Sequence, residues 1–551
     1  MTVRTLTILF LLFIWTPACG DPAMEQLDFP DEEVAEAGAE GTPEADDTLD
    51  EAASEEQGED TDEPLGDFTG RLAGPISGVR YETPSVRGVT DENGTFRYND
   101  GETVRFTMGD TVLGEAPGQP EVSAFDLADI APLVTHRAIR GAVSDATHPF
   151  QKVINLTIFL QTMDYDGNAN NGIQITPEVA ALLDSNVSFE QAWDRFDHDP
   201  RFREALNAAN EQDLLSEHRA VRLPALAMRH LYRAIGVEPQ LFVLVEDVQT
   251  NLSGSVYIQT VEYDAEARRV WSEHVQVNGR ESVVTTFEYD DDGQETTYRR
   301  TDGGEETRVR TSTHDPNGNK THVRTTSRFL EPETHETRFE HDAFGNETLE
   351  ETDLDDDGTP NLRRLTEWNP DGTKALDIRD DDADGNAELT CSYEYDPGGR
   401  VVRILKDVSA DGGIDEVIAL TYGPDGRLIR STVEDAQGVL SEADHYFYDA
   451  DGNLIRRERT DGDRHSVVRQ TFDEAGDLVL VESNAYQDGF KPVRVVEYDA
   501  VGNAITRSSD FDADPDIERV TEYTYEPTTG WGFVFAAGRA TSSIYCSAPI
   551  L

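Results

Sequence analysis

An aromatic residue followed by aspartate recurs along the second half of this chain, and its spacing constrains the fold more than any other feature. The full copies, together with variants in which histidine or phenylalanine is the ring, begin at Tyr263, Tyr289, His314, His341, Tyr395, Tyr448, Phe472 and Tyr498. Degenerate copies at Trp368, Tyr422 and Tyr525 fill the gaps, so that successive copies stand 24–27 residues apart. A nearly fixed interval over about eleven units predicts an array of one small supersecondary unit.

Each unit has the pattern of a β-hairpin. Leu389, Cys391 and Tyr393 alternate with polar residues, which is the period of a half-buried strand. The segment from Asp449 to Gly452 follows an Asp-x-x-Gly pattern, in which the carboxylate accepts backbone N–H bonds and glycine supplies a positive φ. Because two strands alone are marginal in water, we expect neighbouring hairpins to pair into one continuous twisted sheet. Cys391 lies in the core-facing row and is expected to be a buried free thiol.

These segments resemble a known repeat. The stretches 393–400 and 446–454 are similar to the YD repeats of RHS-type bacterial cell-surface proteins, and the resemblance extends over residues 257–526. It implies hairpins wound into a spiralling β-sheet shell, which in that family often encloses a C-terminal toxin. Only about 25 residues follow Tyr525, and we find no toxin-sized domain among them.

An acidic motif of the form D-x-D-x-D-G alternates with the aromatic one. Its three clearest copies repeat at 27-residue intervals and contain Asp353, Asp355, Asp357 and Asn361; Asp380, Asp382, Asp384 and Glu388; and Asp407, Asp411 and Asp415. A fourth copy spans 510–518. Oxygen ligands at positions 1, 3 and 5 of a tight loop suit Ca²⁺, and crowded carboxylates repel one another without a cation. The alternative is a solvated acidic hairpin tip.

A related loop lies in the middle of the chain. Asp164, Asp166 and Asn168 have calcium-ligand spacing, although Ile175 occupies the position where an EF-hand requires glutamate. The alternative is an Asx-rich loop between helices. Thr176 and Pro177 then provide an N-cap and an N1 proline for the next helix.

The N-terminus resembles that of a bacterial lipoprotein. Residues 1–19 form a signal peptide whose apolar run ends in a small residue before Cys19, the expected site of lipid attachment. Ordinary secretion is the alternative. Residues 20–66 hold about twenty acidic side chains and no lysine or arginine, which predicts a disordered acidic tether.

The remaining segments complete a mainly β chain. We predict a small β domain over 67–122, an α-helical module over 123–250, the hairpin array over 251–530 and a C-terminal tail over 531–551. The 110 acidic residues against 46 basic ones give a formal charge of −64, which disfavours nucleic acid as a partner.

No phosphate-binding loop, nucleophile elbow or zinc-protease motif is present, so we predict that the protein is not an enzyme. The favoured function is binding or scaffolding at the cell surface, on the outer membrane or after secretion, with Ca²⁺ in the acidic loops. Partners are the membrane through the lipid, and a glycan or protein ligand. The alternatives are a truncated RHS-type delivery shell, a glycan-binding adhesin, and a helical module with an enzymatic activity of its own.

Overall fold

The computed structural model describes residues 66–536, apart from residue 185 and the segments 278–281, 329–331, 485–490 and 511–516. The fold is mainly β, as the sequence predicts. It has two parts, which we call the cap (66–240 with 531–536) and the barrel (241–528). The signal peptide, Cys19, residues 20–65 and most of the tail lie outside the described residues. Among those described, no helix is long and apolar enough to cross a bilayer.

The cap combines three small sheets with eight helices in the described chain. Its strands are β1 (Phe68–Leu72), β2 (Ile76–Ser77), β3 (Arg80–Glu82), β4 (Arg87–Val89), β5 (Thr95–Tyr98), β6 (Thr103–Met108), β7 (Thr111–Pro117), β8 (Glu121–Val122) and β9 (Ile173–Gln174). The strand orders are β5-β1-β8, β4-β3-β6-β7 and the parallel pair β2-β9. Its helices are α1 (Ala124–Leu127), α2 (His136–Ser144), α3 (Phe150–Thr162), α4 (Pro177–Ala181), α5 (Trp193–Phe196), α6 (Pro200–Glu211), α7 (Pro224–Ala234) and α8 (Gly532–Ala536).

One hydrophobic core unites the whole cap. It joins the small β domain and the helices that the sequence divides into separate modules, for example through Phe106 and Phe159, both of which are fully buried. Trp531 belongs to the same core and lies 4.8 Å from the Tyr232 ring, while Phe535 lies 5.0 Å from Trp193, measured between ring centroids. The apolar segment after the barrel therefore returns to the cap and completes its core.

The barrel is a closed antiparallel meander of 22 strands. They are β10 (Leu241–Asn251), β11 (Val256–Tyr263), β12 (Arg269–Gln276), β13 (Ser282–Tyr289), β14 (Glu295–Asp302), β15 (Glu305–His314), β16 (Lys320–Ser327), β17 (Glu333–His341), β18 (Glu347–Asp353), β19 (Leu362–Trp368), β20 (Lys374–Asp380), β21 (Leu389–Tyr395), β22 (Val401–Asp407), β23 (Glu416–Tyr422), β24 (Leu428–Asp435), β25 (Leu440–Tyr448), β26 (Leu454–Asp461), β27 (Arg464–Phe472), β28 (Leu478–Ser483), β29 (Lys491–Tyr498), β30 (Ala504–Ser509) and β31 (Arg519–Thr528).

The first and last strands pair with each other and close the sheet. β10 pairs with β31 from Leu241, opposite Thr528, to Asn251, opposite Arg519, with one bulge between. Closure removes the exposed strand edges that an open array would leave. The barrel thus begins at Leu241, before the predicted start at 251, because the charged Glu246 and Asp247 hide the strand character of this segment. Tyr525 lies within β31 and not at a turn, so the last degenerate copy of the motif forms no hairpin.

The expectation for Cys391 was wrong. Its side chain is fully buried, as its place in the core-facing row indicates, but it is disulfide-bonded. The partner cysteine lies outside the described residues. Cys391 belongs to a second, smaller hydrophobic cluster in the barrel wall with Ile404, Ile418, Leu420 and Leu428. Strand periodicity identifies burial correctly but carries no information on a covalent partner far along the chain.

Candidate functional site

The aromatic-Asp motifs form turns at one end of the barrel, which we call the rim. Ten such rim turns lie in the described part of the chain. In each, the N–H of the first residue donates to the carbonyl of the fifth, and the turns begin at residues 264, 290, 315, 342, 369, 396, 423, 449, 473 and 499. In the turn at Asp449, the carboxylate accepts N–H bonds from Asp451 at 3.0 Å and Asn453 at 2.8 Å. Gly452 has φ +93°, a conformation that other residues rarely adopt. In this turn the predicted roles of the aspartate and the glycine are confirmed.

In seven of the described motifs the aromatic residue ties its strand to a neighbouring hairpin or strand. Five tyrosine hydroxyls donate to the carbonyl at the start of the strand that leaves the previous rim turn, at 2.7–3.0 Å: Tyr289 to Arg269, Tyr395 to Lys374, Tyr422 to Val401, Tyr448 to Leu428 and Tyr498 to Leu478. Tyr263, in the first hairpin, donates at 3.0 Å to the Leu244 carbonyl within β10. Trp368 makes the equivalent bond from Nε1 to the Glu347 carbonyl at 2.9 Å. Burial raises the pKa of Tyr395 to about 12, so the hydroxyl remains a donor.

The cap lies against the rim. Arg203, only 4% exposed, faces the turns that contain Asp315 and Asp342. Asn207 donates from Nδ2 to the Ala343 carbonyl at 2.6 Å. Arg137 forms an ion pair with Asp477 on another turn. The helices therefore cover this end of the barrel.

The acidic loops lie at the opposite end, because alternate turns of an antiparallel meander point in opposite directions. The three described loops, at 353–361, 380–388 and 407–415, share one conformation. The fourth residue of each has a positive φ at Asp356 (+60°), Ala383 (+59°) and Ala410 (+48°). The sixth is a glycine with φ between +88° and +98°. The sequence phase of 27 residues thus corresponds to a repeated loop geometry. Most of the fourth copy, residues 511–516, lies outside the described residues.

Two of these loops gather carboxylate oxygens. The oxygens of Asp353, Asp355 and Asp357 lie within 4.8 Å of one another, as do those of Asp380, Asp382 and Glu388. Burial and the neighbouring charge of Asp357 raise the pKa of Asp355. Burial, together with the charges of Asp380 and Asp382, likewise raises the pKa of Glu388. These groups have the crowded negative charge that a hard divalent cation relieves.

Several predicted ligands also have structural partners. The ninth residue of each loop caps it from the side chain: the N–H of Leu354 donates to Asn361 Oδ1 at 2.6 Å, that of Asp381 to Glu388 Oε2 at 2.6 Å, and that of Val408 to Asp415 Oδ2 at 2.8 Å. Position 5 accepts an N–H two residues later: Asp384 that of Asn386, and Asp411 that of Gly413, both at 2.9 Å. These bonds account for the recurrence of oxygen-bearing side chains at both positions without a metal.

The hydrogen bonding of the first aspartate differs among the three loops. In two of them both carboxylate oxygens accept backbone N–H bonds: the Oδ2 of Asp353 from Gly358, and that of Asp407 from Gly412, each at 2.7 Å. In the middle loop the Oδ1 of Asp380 accepts from Asp382 and Ala383 at 3.0 and 3.1 Å. Its Oδ2 is buried and has no hydrogen-bond partner in the described part of the chain. The residue is only 2% exposed. This oxygen is the one best suited to a cation.

The loop predicted from Asp164, Asp166 and Asn168 lies in the cap between α3 and β9. Burial raises the pKa of Asp164 to about 6, although the hydrogen bond from the N–H of Gln174 acts to lower this pKa. The charge of Asp166 also raises the pKa of Asp164, whereas the Asn171 amide and the Asn168 N–H hold the pKa of Asp166 low. The three predicted side chains thus lie in one short loop.

A buried charged cluster in the barrel wall was not found from the sequence. Asp377, 2% exposed, accepts from Tyr393 at 2.7 Å, Lys374 at 3.0 Å and Arg364 at 3.4 Å. Burial alone would raise the pKa of Asp377, but Lys374 and Arg364 together lower it. Nearby, burial and Glu347 raise the pKa of Glu350 to about 7. The sequence signal that could have identified this cluster is a charged residue at a strand position that faces the core. Reading the sequence by residue polarity assigns such a residue to the solvent-facing side.

Comparisons with known proteins give weak structural likenesses only. No protein-family model matches the chain, and no curated protein matches it. The solved structures with similar folds include the TcdB2-TccC3 complex, at 12% identity and TM-score 0.27, over 51% of this chain and 21% of that one. The Photorhabdus luminescens Tc holotoxin pore matches at 12% identity and TM-score 0.19, over 51% of this chain and 20% of that one. A porin-like protein from Bacteroides uniformis matches at 12% identity and TM-score 0.22, over 51% and 96%.

The chain therefore covers about a fifth of the length of the toxin chains that it matches. At these TM-scores the likenesses assign neither a family nor a function.

Proposed function

We propose that this protein is a non-catalytic scaffold or binding protein of the bacterial cell surface, whose barrel presents calcium-holding acidic loops at the end away from the cap. The observation that carries the proposal is the division of the barrel into two unlike ends. Helices of the cap cover the rim turns, as the contact of Asn207 with Ala343 illustrates. The acidic loops project from the other end, which leaves them available to solvent, ions and partners.

Calcium has a physical role in this arrangement. The buried Oδ2 of Asp380 has no donor within the described residues, although buried carboxylate oxygens normally have one. A Ca²⁺ ion ligated by Asp380, Asp382 and Glu388 would satisfy this oxygen and offset the repulsion among the three carboxylates. It would also fix the loop that joins β20 to β21, and with it the surface offered to a partner.

Anchoring at the surface is the second part of the proposal. The support is the lipoprotein-like sequence that ends at Cys19 and the acidic segment after it, which would hold the folded part away from a membrane of like charge. The Cys19→Ser variant should lose incorporation of labelled fatty acid and appear in the soluble fraction. Equal membrane retention of the variant and the parent would contradict lipid anchoring.

The calcium role is tested with a matched pair of variants in one loop. Asp380→Asn alters the oxygen without a donor, whereas Asp381→Asn makes the same charge change at an exposed residue that is paired with Arg379. Calcium should raise the melting midpoint of the parent and of Asp381→Asn above that in chelator, and the increase should be smaller in Asp380→Asn. Equal increases in all three proteins would refute the assignment of calcium to this loop.

The nature of the partner is addressed by binding the intact protein to a glycan array with calcium and with chelator. Calcium-dependent binding that Asp380→Asn weakens would identify the acidic end as an adhesive surface. Binding that is independent of calcium would place the glycan-contacting surface elsewhere.

A further inference from the structure

The loop between α3 and β9 contains a fully buried carboxylate oxygen that no donor satisfies. Asp164 is 0% exposed. Its Oδ1 accepts the N–H of Gln174 at 2.8 Å, but its Oδ2 has no hydrogen-bond partner in the described part of the chain. A buried carboxylate oxygen in this state needs a water, a proton or a cation beside it.

Further oxygen atoms lie beside it. The carboxylate of Asp166 neighbours that of Asp164, and its charge raises the pKa of Asp164. Asp166 is held in place by the N–H of Asn168 at 2.9 Å and by Nδ2 of Asn171 at 2.8 Å. Asn168 contributes an amide oxygen two residues further on, which accepts from Asn170 at 3.2 Å. Two adjoining carboxylates and an amide oxygen form a set of hard ligands suited to Ca²⁺.

We propose that Asp164, Asp166 and Asn168 bind a calcium ion, and that this ion fixes the segment 216–223 between the cap and the barrel rim. This site is separate from the acidic loops of the barrel and does not depend on their function.

The segment 216–223 packs directly on the proposed calcium loop. The N–H of Ser216 donates to the Tyr165 carbonyl at 2.9 Å, and that of Arg222 donates to Thr162 Oγ1 at 3.0 Å. The Arg219 guanidinium lies on the backbone of Gly167, where a Cβ would stand 1.2 Å from Nη1. Among the described residues Arg219 pairs with Glu217 at 3.7 Å and makes no ion pair with a loop carboxylate, although its charge acts to lower the pKa of both Asp164 and Asp166.

The other side of the same segment contacts the rim. His218 Nε2 lies 3.0 Å from Oδ1 of Asn317, and Leu223 packs against the turn at Gly293. Loop, segment and rim therefore form a continuous stack. An ion that orders the loop would restrain the segment, and the segment in turn would restrain the cap on the barrel.

Limited trypsin digestion of the full chain tests this coupling, because Arg219 and Arg222 are cleavage sites within the segment. Calcium at about 100 times its Kd should lower the population of the locally opened segment, and hence the cleavage rate at these two sites, by up to ~100-fold. Peptides are quantified by mass spectrometry in calcium and in chelator. The Asp164→Asn and Asp166→Asn variants should lose this protection.

Two further variants separate the explanations. Asp184→Asn, an exposed acid elsewhere in the cap, and Asp380→Asn in the barrel should both retain full protection. Equilibrium dialysis should show one bound calcium fewer in Asp164→Asn than in Asp184→Asn.

If the two carboxylates share a proton instead, calcium will not change cleavage of the parent at Arg219 or Arg222, and the proposal is overturned. That comparison needs no variant, so it decides the question even if Asp164→Asn does not fold. Loss of protection in Asp380→Asn alone would also overturn it, and would assign the effect to the barrel loop.

Discussion

Removal of the tyrosine hydroxyls that join successive hairpins should lower stability by a predictable amount. We consider the triple variant in which Tyr289, Tyr395 and Tyr498 become phenylalanine. Each hydroxyl makes one bond to a backbone carbonyl, at 2.8, 2.7 and 3.0 Å respectively. Phenylalanine keeps the ring and its packing, so the change isolates the hydrogen bond.

A neutral hydrogen bond of this kind contributes about 1 kcal/mol net to stability. The three sites belong to hairpins that are well separated in the array, so their effects should add to about 3 kcal/mol. In a domain of this size about 1 kcal/mol corresponds to roughly 2 °C in melting midpoint. We therefore expect the triple variant to melt about 6 °C below the parent.

Differential scanning calorimetry of the purified protein measures the midpoint, and Tyr446→Phe is the matched control. Tyr446 packs in the same barrel wall beside Arg457, but its hydroxyl makes no hydrogen bond within the described residues. The control should melt within about 1 °C of the parent, since a loss without a hydrogen bond is a few tenths of a kcal/mol. A triple variant no less stable than this control would show that the tyrosines act through ring packing alone.

Two further predictions concern backbone conformation and burial of charge. Gly399 has φ +76° and Gly141 lies within α2, and a Cβ would meet no atom within 4 Å at either position. Gly399→Ala should lower the free energy of unfolding by about 1–2 kcal/mol, because alanine disfavours a positive φ. Gly141→Ala should raise the free energy of unfolding by about 0.5–1 kcal/mol, and chemical denaturation measures both changes. The pKa of Glu350 is raised to about 7, so the unfolded chain binds fewer protons than the native one between about pH 4.5 and 7 and stability falls as pH rises through this window. Glu350→Gln should therefore raise the melting midpoint at pH 8 and leave it unchanged near pH 4; the opposite dependence on pH would contradict the burial argument.

Local features of the repeat could be predicted from the sequence because they depend on nearby residues. The turn at Asp449 and the core-facing position of Cys391 follow from the motif and from strand periodicity. The N-cap of α4 follows from Thr176, whose Oγ1 accepts the N–H of Val179 at 3.2 Å. In each case the determining contact lies within a few residues of the chain.

Features that depend on distant segments could not be predicted in this way. The number of strands at which a twisting sheet meets its own first strand depends on twist accumulated over every hairpin. The packing of Trp531 depends on Tyr232, and the whole barrel lies between these two residues in the sequence. The acidic loops are an intermediate case. Spacing identifies Asp353, Asp380 and Asp407 equally, but only the structure shows that, of these three, Asp380 has an Oδ2 without a donor among the described residues.

Closure of the barrel and completion of the cap are physically coupled. Bringing β10 to β31 closes a loop of almost 300 residues, which costs on the order of 5 kcal/mol in chain entropy. The end of this seam enters the core of the cap, since Leu241 begins the seam and Trp531 follows it, and both are nearly fully buried there. Pairing of the seam and completion of the core of the cap therefore require the same loss of chain entropy, which is incurred only once. Because the contacts of the seam and those of the cap core both stabilise the closed barrel, we expect the cap and the barrel to unfold together and not as separate domains.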